Sequence, residues 1–83
     1  MQKSIRTQEQ QHLQELLRKL RMAAGLTQSD VAERLEKHQS FVSKYESGER
    51  RLDLPELREV CQAIGISLGD LVKRFENGLK KGK

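Results

Sequence analysis

On a helical wheel at about 100° per residue, the stretch HQSFVSKYESGERR, residues 38–51, divides into two unlike sides. Gln39, Ser40, Ser43, Lys44 and Ser47 gather on one side, and His38, Phe41, Val42 and Tyr45 gather on the other, which faces a core. The first side carries amide and hydroxyl groups and one long cation, side chains that both donate and accept hydrogen bonds at short reach. Glutamate would solubilise such a face better. These groups instead match base edges in the DNA major groove, where Gln pairs bidentately with adenine, Ser donates or accepts, and Lys donates to O6 and N7 of guanine. That groove also admits one helix. Phe41 sits at the edge of the apolar stripe, so it either packs the core or reaches a thymine methyl in the groove.

Other chemistries find no support in the chain. It has no glycine-rich phosphate loop and no paired Cys/His nucleophile, and its carboxylates are spread along polar faces, so an enzyme is not expected. His12 and His38 have no companion ligands, and no metal or cofactor is expected. The single cysteine, Cys61, can form neither an internal disulfide nor a thiolate metal site, which favours a reducing cytoplasm, and its place on an apolar stripe makes it a small core residue. The net charge of +4 and a pI near 9.5 favour an anionic partner. Lys44, Arg50 and Arg51 concentrate that charge beside the Gln/Ser face.

The elements that must carry this face can be read from spacing. Eighty-three residues, 35% hydrophobic and 34% charged, suit one small helical domain. From Thr7 to Ala24, Leu13, Leu16, Leu17, Leu20 and Ala24 recur at helical intervals, and Gly25 ends the helix. Thr27 with Asp30 caps a second helix, Gln28 to Leu35, that buries Val31, Ala32 and Leu35. After the polar link of Glu36, Lys37 and His38, a third helix runs from Gln39 to Glu46 and stops at Gly48. Asp53 and Glu56 box the start of a fourth, around Pro55, with Leu57, Val60, Cys61 and Ile64 inward. Gly65 ends it, and Ser67 with Asp70 caps a fifth helix whose apolar face is Leu68, Leu71, Val72 and Phe75. Residues 1–6 and the basic tail, residues 77–83, lack periodicity and are expected to be flexible, leaving an ordered domain over residues 7–76. No apolar run is long enough to span a bilayer, and the start MQKSIRTQEQQ lacks the apolar core of a signal peptide.

Two short helices joined by a tight link, the second bearing a hydrogen-bonding face, form a helix-turn-helix. The runs GLTQSDVAERL, QSFVSKYESGERR and LPELREVCQAIGI resemble the Xre/Cro/C1-type helix-turn-helix family of phage-repressor-like domains, from Leu16 to about Leu71. The resemblance implies a compact, all-α, five-helix lambda-repressor-like fold. It implies base reading by Gln39, Ser40 and Lys44, with Ser43 as a further base or phosphate contact. Gln28 matches a residue that bonds a DNA phosphate and braces the recognition helix. Arg21 and Glu46 match an ion pair beside the phosphate backbone, and the amides near Ser47 and Gly48, with Arg50 and Arg51, match a loop that grips the next phosphates. The chain departs from the family at the turn, where Glu36 and Lys37 stand in place of Gly and a small apolar residue, and where His38 replaces the common Ser, Thr or Pro.

The expectation is therefore a cytoplasmic, sequence-specific regulator of transcription, foremost a repressor, bound to double-stranded DNA as a homodimer on an inverted repeat, with helix five and its flanks as the dimer surface. Two alternatives stand beside it. One is an antitoxin or accessory factor whose main partner is another protein; the other is an interaction module that never touches DNA. The Gln/Ser/Lys face argues against the second, because protein-binding helices expose aromatic or aliphatic anchors.

Overall fold

The structure, a computed structural model, describes residues 2–81. Met1, Gly82 and Lys83, part of the ends expected to be flexible, lie outside the described residues. Five helices follow one another: α1 (Gln2–Ala23), α2 (Gln28–Leu35), α3 (Gln39–Ser47), α4 (Leu54–Ile64) and α5 (Leu68–Lys81). No strand occurs among the described residues.

The helix starts are set by the residues that the spacing singles out. The Thr27 hydroxyl accepts the Asp30 amide at 3.0 Å while the Asp30 carboxylate accepts the Thr27 amide at 2.9 Å, so two otherwise unpaired donors at the start of α2 are satisfied reciprocally. Asp53 and Glu56 do the same for α4, at 2.8 and 3.0 Å. The Ser67 hydroxyl accepts the Asp70 amide at 3.0 Å and starts α5.

In space, α2 packs on α3 and α4, α1 on α3 and α5, and α4 on α5. Leu17, Val31, Ala32, Val42, Tyr45, Val60, Cys61, Ala63, Ile64 and Leu71 are buried where these elements meet. Each fully buried aliphatic side chain contributes about 1.5 to 3 kcal/mol over its exposed state. The recognition-type helix α3 is thus anchored from below by Val42 and Tyr45, which leaves its other side outward.

Three expectations need correction. His38 does not face the core; it is exposed, and its ring Nδ1 accepts the Ser40 amide at 3.1 Å, so it caps α3 instead of packing under it. Ala24 is exposed beyond the end of α1. Val72 is 47% exposed and contributes little to the core side of α5. The helical spans also pass the limits that apolar spacing suggests, with α1 starting at Gln2 and α5 running to Lys81. Apolar spacing marks a helix only where apolar residues recur at helical intervals, and the sequence at the two ends carries no such recurrence. Within the added part of α5, Gly78 admits the His12 ring, into which any side chain at position 78 would run, and His12 Nε2 lies 3.1 Å from the Phe75 carbonyl.

The link between α2 and α3 closes without glycine. Glu36 takes the left-handed conformation, φ 58° and ψ 44°, and the Lys37 amide reaches back to the Ala32 carbonyl at 2.9 Å. A left-handed cap of this kind satisfies the last carbonyls of α2 and turns the chain sharply into α3.

Candidate nucleic-acid interface

The outer side of α3 carries Gln39, Ser43, Lys44 and Ser47 exposed and Ser40 half-buried, so the sequence-predicted face stands clear of the core. Behind it lies a chain of polar contacts that begins inside the protein. Arg21, only 9% exposed, donates to both Glu46 carboxylate oxygens, from Nε at 2.7 Å and Nη2 at 3.1 Å, and to the Leu26 carbonyl from Nη1 at 2.8 Å. Its guanidinium is turned inward, where it ties α1 to the end of α3. The hydrogen bond to Glu46 is the main cause that raises the Arg21 pKa. Gln28 Nε2 donates to Glu46 Oε1 at 3.0 Å, Gln39 Nε2 donates to Gln28 Oε1 at 3.3 Å, and the Ser29 hydroxyl donates to Gln39 Oε1 at 3.3 Å. Arg21, Glu46, Gln28, Gln39 and Ser29 are thereby one network spanning α1, α2 and α3.

Ser40 sits differently from its neighbours. Its hydroxyl lies 3.1 Å from the same His38 Nδ1 that accepts the Ser40 amide. The Ser40 hydroxyl is thereby held toward the cap of α3.

The loop after α3 spends its polar groups on its own turn. The amides of Gly48 and Arg50 donate to the Lys44 carbonyl at 3.1 and 3.2 Å, as does the Ser47 hydroxyl at 3.1 Å. Gly48 has φ 93°, which a side chain would strain, and a Cβ there would come within 2.9 Å of the Gln14 amide oxygen.

Arg50 grips Glu56 with two hydrogen bonds, 3.0 and 2.8 Å, and its guanidinium lies 4.8 Å from the Phe41 ring centroid. Lys37 Nζ is 5.4 Å from the same centroid, and Phe41 meets Tyr45 edge-on at 5.6 Å. Phe41 is accordingly a half-buried platform between the core and two cations. The Arg50 bonds, followed by the Asp53 amide, hold the Glu56 carboxyl down to about 2. Arg51 is exposed and borders a shallow hollow with Glu9, Gln10, Leu13 and Phe75, toward α1 and α5.

The structure brings Arg21, Gln28 and Gln39 together through Glu46, and Arg50 together with Phe41; Arg51 meets Arg50 through its carbonyl, which accepts from Arg50 Nη1 at 3.0 Å. Ser29, the pairing of Glu56 with Arg50 and the capping role of His38 were missed by sequence reasoning. Ser29 had a readable signal, since it neighbours Gln28 in the first turn of the helix that packs on α3, but an exposed serine carries no periodicity to mark it.

A helix-turn-helix family profile matches residues 17–71, more than half of the chain. Among solved structures, an XRE-family-like protein from Pseudomonas syringae pv. tomato str. DC3000 is 43% identical, with 92% of this chain and 93% of that one covered and a TM-score of 0.85. The wild-type restriction-modification controller protein C.Esp1396I shares the fold at 19% identity, with 88% and 95% covered and a TM-score of 0.81. The tetramer of the same controller in complex with its natural 35 base-pair operator superposes at a TM-score of 0.77, 19% identity, with 83% and 91% covered. No curated protein matches the chain.

Proposed function

The chain belongs to the Xre/Cro/C1-type helix-turn-helix family, and from that premise we propose that it is a sequence-specific regulator of transcription, foremost a repressor, that reads the major groove of double-stranded DNA with α3 as a homodimer. The family is one of DNA-binding regulator domains and not of enzymes. The observation that carries the reading is the outward Gln/Ser/Lys face of α3 braced from behind by Arg21, Glu46 and Gln28. A base-reading amide must be held before it meets DNA, because ordering a loose side chain on binding costs about 0.5 to 1.5 kcal/mol.

In this reading Gln39 and Lys44 read base edges, with Ser40 and Ser43 as shorter contacts in the same groove. Gln28 meets a phosphate beside them, while Arg21 acts through Glu46 and not by its own contact. Ser47, Arg50 and Arg51 lie toward the next phosphates, with Arg50 exchanging Glu56 for the DNA backbone. Phe41 serves as packing, its ring edge being the part that could meet a thymine methyl.

One module of this size buries too little surface for tight specific binding, so two copies on half-sites about 34 Å apart are required. The similar controller protein occupies its operator as a tetramer, which supports association of such chains on DNA. On this chain an apolar groove of about 260 Å³ between α1, α4 and α5, lined by Leu13, Leu57, Leu71, Val72 and Phe75, is the surface we assign to the dimer. The regulator acts in the cytoplasm, where no membrane is involved.

Selection of bound sequences from a random double-stranded DNA pool at near-physiological salt tests the whole reading. Enrichment of an inverted repeat with half-sites one helical turn apart is the expected result. Recovery of unenriched sequence counts against base reading by α3.

A further inference from the structure

We propose that Ser29 is a positioning residue that sets the Gln39 amide for base reading, an inference that rests on α3 being the DNA-reading helix.

A glutamine amide has two N–H donors and a carbonyl with two lone pairs, and its reading of a base depends on which end points where. In this protein the polarity of the amide chain is fixed from the interior outward. Both oxygens of the Glu46 carboxylate accept from Arg21, and a carboxylate offers no donor. Gln28 must therefore turn Nε2 toward Glu46, which leaves its Oε1 facing Gln39. Gln39 must in turn offer Nε2 to that oxygen, which swings its own Oε1 to the far side. There the Ser29 hydroxyl, on the first turn of α2, donates to Oε1 at 3.3 Å. Ser29 is exposed and outside the core, and its hydroxyl crosses from α2 to α3 in this contact.

With one N–H given to Gln28 and one lone pair given to Ser29, Gln39 retains one N–H donor and one acceptor lone pair for a base. Adenine presents the complementary pair, N7 to accept and N6–H to donate. Gln28 alone fixes the polarity of Gln39 but leaves its carbonyl end free to pivot about a single bond. The Ser29 hydroxyl removes that freedom by pinning the other end, so both ends of the amide are held by α2 before DNA arrives.

The test compares the wild type with S29A, S29T, Q39A and the S29A/Q39A double variant, each by selection from the same random double-stranded DNA pool. Losing one neutral hydrogen bond should lower preference at the base pair read by Gln39 about three- to tenfold, with other positions unchanged. S29T keeps a hydroxyl and should restore the wild-type profile. In the Q39A background, S29A should have no further effect. A uniform loss across all sequences that persists in that background would overturn the proposal, making Ser29 a DNA contact in its own right. An unchanged profile for S29A beside a flattened one for Q39A would also overturn it while leaving α3 as the reader. An unchanged profile for Q39A would remove the base-reading role of Gln39 and the Ser29 proposal with it.

Discussion

Arg21 and Glu46, 25 residues apart in sequence, form a forked ion pair with hydrogen bonds of 2.7 and 3.1 Å, and their side chains are only 11% and 4% exposed. At that burial the pair differs from a surface bridge, because removing one partner strands the other charge away from water. Arg21→Ala is expected to destabilise the protein by about 3 to 5 kcal/mol, a large share of the roughly 5 to 15 kcal/mol that holds a small domain. The urea midpoint should fall with the slope unchanged. A loss under about 1 kcal/mol would reduce the pair to an ordinary surface contact.

Tyr45 lies beside this pair with its hydroxyl buried and lacking a hydrogen-bond partner among the described residues. Burial is the main cause that raises its pKa, with the Glu46 charge second. Its ring fills the core and meets Phe41 edge-on, so the aromatic body contributes while the hydroxyl does not. Tyr45→Phe should leave stability unchanged or raise it by up to about 1 kcal/mol, since it removes an unsatisfied polar atom and no packing. Thermal unfolding decides the matter: a clear drop in Tm would mean that the hydroxyl has a partner.

Caps and apolar spacing made most of the fold legible. Thr27 with Asp30 and Asp53 with Glu56 announced α2 and α4 because each capping box is local and its partners are three residues apart. His38 was misplaced because a wheel assigns angle but not whether a residue lies inside the helix or caps it. The outward face of α3 was legible, whereas its bracing was legible only in part. Arg21 with Glu46 followed from the family resemblance, but the bonds from Gln39 to Gln28 and from Ser29 to Gln39 depend on the angle at which α2 meets α3. That angle is set at Glu36, whose left-handed backbone no residue-type preference predicts.

Glu36 therefore offers a direct substitution. It is exposed, its φ of 58° is one that side chains adopt at a cost of about 1 kcal/mol, and its amide already caps α2. Glu36→Gly should stabilise the protein by roughly 0.5 to 1 kcal/mol with no change in DNA preference. A destabilised variant would mean that the glutamate side chain contributes more than its backbone strain removes.

Glu56 predicts an acid-sensitive step. Its carboxyl is lowered from 4.5 to about 2, first by the Arg50 hydrogen bonds and then by the Asp53 amide. A group whose folded value lies below its unfolded value adds stability above the unfolded value and loses it as pH falls through the folded one. Stability should thus decline between about pH 4.5 and about pH 2. Glu56→Gln keeps a side chain that can serve the cap of α4 and should decline less over the same window. Some decline remains, because the Thr27 amide also holds the Asp30 carboxyl low. Parallel curves for the two proteins would remove Glu56 as a cause.

Gln39, Lys44 and Arg50 should fail in different ways if α3 reads bases. Gln39→Ala or Lys44→Ala should cost about 1 to 3 kcal/mol on the selected sequence and little on random DNA, because base-edge bonds exist only with the matching bases. Arg50 is held by Glu56, so its charge is partly neutralised until phosphate replaces the carboxylate. Arg50→Ala should weaken selected and random DNA alike and reduce the salt slope by about 1. Glu56→Gln should do the reverse, strengthening both by freeing the guanidinium. Binding isotherms at several salt concentrations separate these cases. If Gln39→Ala instead weakened every sequence equally, it would be a backbone contact and the polar chain behind it a structural brace alone; if Glu56→Gln left all affinities unchanged, Arg50 would stay with its carboxylate when the protein binds DNA.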